Sequence, residues 1–371
     1  MQLMQIGKTL RRWALLLGLT FPFSPVIAQD NGATSVLFIG NSYTHYNDMP
    51  KLFHKIAESK GENIITEMDA RSNHSFSMHT NRPELFAHIR KRKWDYIVLQ
   101  GFSRELSYDR SVIDTASVPY LDIILDSIYL NNPCTKVLLY MTWGYKTGIA
   151  DREDADTYEK MSEAVERGYK YIAGKYGLSI VPVGKVYENI KEYSDGSLFH
   201  CLYQKDDQHP TIFGSYAIAN TFYSAIFRKS PVNAYHKGLS KEDAEVIQET
   251  AYNCVIDSRE EFHLDDEYHS IKYSWNNKGQ LEVDLSSSYR KAIISWDLGD
   301  GTYSSQPNFH HTYDKLGMYT IRLVVKADCG EFTFLEKIDL DALPKPEESN
   351  PSYRKIAKNI RKTKRRQRKS S

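Results

Sequence analysis

The first 254 residues alternate between short apolar runs and longer stretches in which apolar residues recur every three or four positions. Val36-Leu37-Phe38-Ile39 is the plainest run. It is uninterrupted and partly β-branched, and predicts a strand over 35–40 buried on both faces. Runs at 63–68, 94–100, 136–141 and 179–183 predict four more strands. Between them, helical periodicity predicts helices over 49–60, 83–90, 118–130 and 155–176, the last with Met161, Ala164, Tyr169, Ile172 and Ala173 on one stripe. Closing helices are predicted over 211–227 and 241–254. Strands and helices alternating at this spacing imply an α/β domain, a doubly wound parallel sheet with helices on both faces. Sites in such sheets form at the carboxyl ends of the strands, where Ser42, Gln100 and Trp143 fall.

From about 269 the pattern shortens. Segments 281–285, 292–296, 319–325 and 332–338 alternate and are separated by Gly/Asp turns, which predicts a small β-sandwich. The acidic stretch 257–268 reads as a linker. The domain order expected is a leader over 1–28, the α/β domain over 29–256, the sandwich over 269–342 and an unstructured basic tail over 343–371.

Composition narrows the setting. With 41% hydrophobic and 26% charged residues, the 371-residue chain can bury a full α/β core and a smaller second one. Lys8, Arg11 and Arg12 precede an apolar segment, 13–23, too short to span a bilayer, and Val26-Ile27-Ala28 offers small residues for cleavage. This predicts export to the periplasm, cell surface or medium. No cysteine follows the expected cut at Gln29, which argues against a lipid anchor. The formal net charge of +1 falls to −12 once the three leader cations and the ten in the 354–369 tail are removed. An acidic body with a short basic tail excludes a nucleic-acid-binding fold; the tail is a solvated terminus or a contact to an anionic surface. Export permits disulfides, and the four cysteines (Cys134, Cys201, Cys254 and Cys329) leave three pairings or none open, with Cys201–Cys254 the first intradomain pair to expect.

Two short motifs carry candidate chemistry. Gly40-Asn41-Ser42 puts a serine on a tight strand-to-helix turn, suited either to capping or to a nucleophile. Asp206-Asp207-Gln208-His209-Pro210 is a polar loop before an apolar helix. An Asp three residues ahead of a His can fold back onto the imidazole and fix its tautomer, and an Asx-turn leading into the helix is the plainer alternative. His45, His74 and His79 are weaker candidates. His310-His311 lacks metal-ligand spacing, so no metal site is expected.

Together these motifs resemble the SGNH (GDSL-like) hydrolase superfamily, from about 35 to 254. Met141-Thr142-Trp143-Gly144, Tyr158-x-x-Met161 and Pro182-Val183-Gly184 look like a secreted Bacteroidetes-type subgroup. The resemblance implies a three-layer α/β/α, flavodoxin-like fold and a cofactor-free esterase. Ser42 would be the nucleophile, His209 the base and Asp206 its orienter, with Asp207 as substitute if the loop register differs. The oxyanion donors would be Ser42, Asn73 and Gln100, and the substrate pocket would involve Asn41, Ser103, Trp143 and His79; the alternatives are a buried Gln100 bonded to a neighbouring loop and a Trp143 that is a packed aromatic. Ser72 or Asn73 stands where the family has its oxyanion glycine, and Gln100 where it has an asparagine.

Trp296-Asp297-Leu298-Gly299-Asp300-Gly301-Thr302, His311-Thr312-Tyr313 and Gly317-x-Tyr319-x-Ile321 resemble the PKD repeat, an Ig-like module of extracellular proteins. The resemblance implies a spacer or a contact to glycan or cell surface. The expectation is therefore a secreted esterase acting on O-acyl esters, O-acetyl first, of extracellular carbohydrate. The rivals are a lipid or simple-ester hydrolase with the same machinery and a non-catalytic glycan- or surface-binding protein.

Overall fold

A computed structural model of the chain describes residues 32–193 and 196–264 and, in the C-terminal part, 271–275, 281–285, 293–306, 308–315, 317–327 and 330–340. The expected leader and basic tail lie outside these residues.

The α/β body runs β1 (Thr34–Gly40), α1 (Ser42–His45), a 3-10 turn (Tyr46–Asp48), α2 (Met49–Ser59), β2 (Ile64–Ala70), α3 (Phe76–Thr80), α4 (Pro83–Arg90) and β3 (Tyr96–Leu99). It continues with α5 (Arg110–Ala116), α6 (Val118–Asn131), β4 (Lys136–Tyr140), α7 (Tyr158–Tyr176), β5 (Ser179–Val181), α8 (Val183–Tyr193), α9 (Ser197–Cys201), α10 (Ile212–Phe227) and α11 (Lys241–Asp257). All five strands are parallel, in the order β2-β1-β3-β4-β5. That is the flavodoxin-like winding, and the strand order reverses between β1 and β3. Gly40 pairs with Ala70, and Ile39 with Leu99, so β1, β2 and β3 end level and release their loops together.

Helix α2 packs with α10, and α10 with α11 and α8; α6 packs with α3, α4 and α5, and α5 with α7. These two sets are the outer layers. Each helix follows from its sequence. In α2 the buried Met49, Leu52, Phe53, Ile56 and Ala57 form one apolar stripe. Helix α7 begins at 158, not 155, because the Thr157 side chain accepts the Lys160 N–H; it ends at Gly177, whose φ of 66° is left-handed. Helix α10 is buried nearly all round, and Phe222 meets Phe38 of β1 and Tyr140 of β4 edge-on at 5.1 Å each.

The body does not end at 256. Phe262 is fully buried and Leu264 nearly so. The Ile180 N–H of β5, an edge strand, donates to the Phe262 carbonyl at 2.9 Å. Among the expected linker residues, those up to Leu264 therefore belong to the α/β body.

The C-terminal part holds β6 (Ile271–Trp275), β7 (Leu281–Leu285), β8 (Ile293–Asp297), β9 (Tyr303–Ser304), β10 (Asn308–His311), β11 (Met318–Ala327) and β12 (Gly330–Asp339). They form two antiparallel sheets, β10-β7-β6 and β12-β11-β8-β9. Trp296 of the second meets Phe309 of the first edge-on at 5.5 Å, as expected of a sandwich core. Gly299 and Gly301, both with left-handed φ, make the turn between β8 and β9.

The expected Cys201–Cys254 bridge is not made. Cys134 is disulfide-bonded, whereas Cys201 is a free exposed thiol on α9 and Cys254 a free buried one on α11. Burial pushes the Cys254 thiol up to about 12, which leaves it protonated and inert.

Candidate active site

Strand β1 must stop at a glycine. A Cβ on Gly40 would collide with Thr44 Oγ1 and lie 2.6 Å from Gln100 Oε1. Asn41 then caps α1. Its side-chain oxygen accepts the Tyr43 N–H at 3.1 Å, while its amide donates to the carbonyls of His74 (3.2 Å) and Gly101 (3.1 Å). One buried amide thus joins the loops that follow β1, β2 and β3. Ser42 occupies the first helical position, 5% exposed, and its N–H meets no acceptor among the described residues.

The second motif reaches this serine across 167 residues. Ser42 Oγ lies 2.9 Å from His209 Nε2, and His209 Nδ1 lies 2.6 Å from Asp206 Oδ2. Since a carboxylate only accepts, Nδ1 carries the proton in the neutral ring and Nε2 accepts the Ser42 hydroxyl. Partial burial disfavours the charged Asp206, but hydrogen bonds from the His209 N–H, its ring and the Gln208 N–H outweigh it and hold the carboxyl below its usual range. Asp207 has a left-handed φ of 59° and turns instead to Lys146 Nζ at 3.3 Å, so Asp206 alone faces the imidazole. Tyr46, whose ring lies 4.6 Å from His209, is a neighbour that no sequence signal announced. The 3-10 turn that carries it is also tied to the loop of His209, because Asn47 donates to the Pro210 carbonyl at 3.1 Å.

Asn73 sits in a turn closed by the His74 N–H on the Arg71 carbonyl at 3.2 Å, with φ at 61°. That is a glycine-like conformation, and Asn is the side chain that tolerates it best after glycine. Gln100 takes its alternative, a buried polar residue bonded to a neighbouring loop, rather than the donor role. It is fully buried, its oxygen accepts from the Asn41 N–H and Thr44 Oγ1 at 2.9 Å each, and its amide donates to the adjacent Gly101 carbonyl. It lies fully buried beneath the turn, so the geometry gives it no exposed amide to offer an oxyanion.

Three of the four expected pocket residues also lie underneath. Asn41 is buried as described. Trp143 is fully buried and does not wall a pocket; its ring is sandwiched between Tyr43 and Tyr187 at 4.4 and 4.5 Å. His79 is fully buried and donates Nε2–H to the Gly40 carbonyl at 3.0 Å while Arg82 approaches its Nδ1 at 3.3 Å. Burial, with the charge of His74 second, pushes it down to about 4, so it is neutral. Ser103 is 8% exposed and hydrogen-bonds Tyr145 at 2.7 Å. His45 bonds Ser72 Oγ at 2.9 Å, and the His74 ring lies 5.2 Å from that of His79.

Glu105 was not legible in the sequence at all. Its carboxylate accepts the N–H of Phe102 (2.8 Å) and of Phe76 (3.2 Å) and the Ser117 hydroxyl (3.1 Å), binding the loops after β2 and β3 to each other and to the start of α6. Burial pushes it up to about 7 against the pull of those hydrogen bonds.

Residues 274–338 match the PKD domain family. Among solved structures, the chain is similar to the lipase Lip_vut3 from a goat rumen metagenome, at 16% identity over 53% of this chain and 98% of that one, with a TM-score of 0.39. It is also similar to a lipase/acylhydrolase from Enterococcus faecalis, at 14% identity over 56% and 100% of the two chains and a TM-score of 0.38. A third is a variant of the acetyl xylan esterase Axe2 from Geobacillus stearothermophilus, at 16% identity over 52% and 94%, TM-score 0.38.

Proposed function

We propose that the protein is a serine esterase acting by nucleophilic catalysis without a cofactor. The observation that carries this reading is the unbroken chain from Ser42 Oγ through His209 to Asp206, at 2.9 and 2.6 Å. His209 Nε2 takes the hydroxyl proton as Ser42 Oγ attacks the ester carbonyl. The tetrahedral oxyanion faces the Ser42 N–H and the backbone of the Asn73 turn. Its collapse expels the alcohol, which receives the proton from His209, and leaves an acyl-serine that water hydrolyses with His209 again as base.

The substrate class we assign is O-acyl, first O-acetyl, esters on extracellular carbohydrate. The Gln100-Gly101 pair, similar to that of some carbohydrate acetylesterases, and the PKD segment support this class. Export is part of the proposal; the leader-like N-terminus supports it, and the disulfide at Cys134 suits an oxidising compartment. The PKD segment and the basic tail are proposed contacts to glycan or cell surface.

The test sets p-nitrophenyl acetate against longer acyl esters and an O-acetylated polysaccharide, with Ser42→Ala and His209→Ala alongside. Turnover of acetyl esters that falls at least about 10³-fold in both variants supports the mechanism. A preference for long acyl chains would favour the lipid or simple-ester hydrolase instead. One observation favours a non-catalytic binding role. With the Gln100 amide buried beneath the turn, an oxyanion donor is lost, and one donor is worth about 10²–10³ in rate. Glycan binding without turnover in any of the three proteins would select that role.

A further inference from the structure

The fully buried Trp143 touches both halves of the site without reaching the reacting atoms. Its indole lies flat against the ring of Tyr43, the residue after the nucleophile, with centroids 4.4 Å apart and planes 8° from parallel. On the other face Tyr187 of α8 stacks at 4.5 Å and the same angle. The two rings fix the indole plane, and that plane aims Nε1–H at the carbonyl of Gln208, the residue before the base, at 3.1 Å. Tyr43 closes the figure, its ring T-shaped to that of His209 at 5.5 Å and 82°.

The segment carrying Trp143 is itself fixed. Tyr203 donates to the Gly144 carbonyl at 2.9 Å, and Gly184 of α8 approaches the Thr142 carbonyl so closely that a Cβ would collide with it. Three bonds then run from this segment to the base's loop: Trp143 Nε1–H to Gln208, the Lys146 N–H to the Asp207 carbonyl at 2.9 Å, and Lys146 Nζ to the Asp207 carboxylate.

We propose that Trp143 is a positioning residue that sets the distance between Ser42 and His209, through ring stacking on the nucleophile's side and one N–H bond on the base's side. This rests on the serine-esterase reading above. The stack alone would serve packing. A buried indole N–H needs an acceptor, and the one it has here is the backbone carbonyl one residue from the imidazole, which the bond fixes. An error of about 1 Å between reacting groups costs on the order of a hundredfold in rate, so a single hydrogen bond at this point has leverage on kcat.

The test removes the N–H and keeps the rings. Trp143→Phe does so with a smaller ring. Incorporation of 3-benzothienylalanine at 143, which has sulfur in place of Nε1–H, does so at nearly constant shape and serves if the phenylalanine variant folds poorly. Both are compared with the unaltered protein for kcat and KM on p-nitrophenyl acetate, and for the far-downfield proton resonance of the His209 Nδ1–H bond to Asp206. The expected result is a kcat lower by about ten- to a hundredfold with KM within twofold. The resonance should broaden through faster exchange, in both replacements. An unchanged kcat in the benzothienyl protein, or a sharp unshifted resonance in it, would overturn the proposal. Should the unaltered protein prove no more active than Ser42→Ala, the esterase reading fails instead, and the resonance alone still decides whether Trp143 holds the base.

Discussion

At the scale of single residues, the site rests on buried groups whose charge states oppose one another. Glu105 has its carboxyl raised from 4.5 to about 7 by burial, so the folded protein holds that proton more tightly than the unfolded chain between those values. Stability from this group is therefore full below about 4.5 and declines as pH rises to 7. His79 is lowered from 6.5 to about 4 by burial, so its contribution is present above 6.5 and is lost as pH falls to 4. Between 4.5 and 6.5 the two slopes have opposite signs. Replacing Glu105 by Gln removes one of them, at the cost of an acceptor for Phe76 or Phe102. Thermal melts of both proteins at pH 5 and pH 8 should show the difference, variant minus parent, moving upward with pH. A difference that stays constant would mean that Glu105 is not the group that titrates. Ser42, Asp206 and His209 were legible because each lies in a short local pattern. The directions of Gln100, His79 and Trp143 were not, because they depend on which loop lies beneath which. Gln100 is bonded through its N–H to Ile39 at 2.9 Å, and that pairing turns its side chain under Gly40, the one residue of the turn with no Cβ to obstruct it.

At the scale of elements, the strands and long helices followed from the hydrophobic pattern, since a two-sided buried strand and a 10–19-residue amphipathic helix each leave a periodic trace. Helices α1, α3 and α9, of four or five residues, are too short to show a period, and capping decides them: Asn41 and Ser75 supply the caps of the first two. Helix α8 was legible in principle, with Val183, Val186, Tyr187 and Ile190 buried at helical spacing, but the apolar run of β5 leads into it across Pro182 and masks its start. How elements approach one another left no trace at all. Helix α7 meets the loop after β3 at Gly168, where a Cβ would collide with the Leu106 carbonyl and lie 3.2 Å from Ile113. Gly174, on the same helix, has nothing within 4 Å of the equivalent point. Gly174→Ala should stabilise by about 0.5–1 kcal/mol through helix propensity. Gly168→Ala gains the same propensity but must move the backbone of a loop that also carries Ser103 and Glu105, and should destabilise by about 1–3 kcal/mol. Denaturant midpoints of the two variants moving in opposite directions would bear this out; midpoints rising together would mean that the loop yields freely.

At the scale of the whole molecule, the boundary between the two parts of the chain is set by an edge strand rather than by composition. The acidic stretch after α11 reads as linker, yet its first residues cover the open side of β5. Phe262 and Leu264 are buried, the Phe262 carbonyl takes the Ile180 N–H, and the Leu264 carbonyl takes Arg228 Nη2 at 2.7 Å. Lys170 adds an ion pair to Glu261 at 2.6 Å and lies over the Phe262 ring. Burying one large apolar side chain is worth about 1.5–3 kcal/mol, so Phe262 and Leu264 together supply about 3–6 kcal/mol, a large part of a domain's net stability. A fragment ending at Leu264 should therefore fold and, on the proposed esterase reading, retain the parent's turnover per molecule, whereas one ending at Ile256 should melt about 10 °C lower or aggregate through the uncovered edge. Both fragments would carry Cys134→Ser, so that its disulfide is not a variable between them. Melting temperature and acetyl-ester turnover of the pair check this. Equal stability would mean that the eight residues after Ile256 are the linker their composition suggests. Loss of turnover in a well-folded fragment ending at Leu264 would instead give the β-sandwich a part in the site itself.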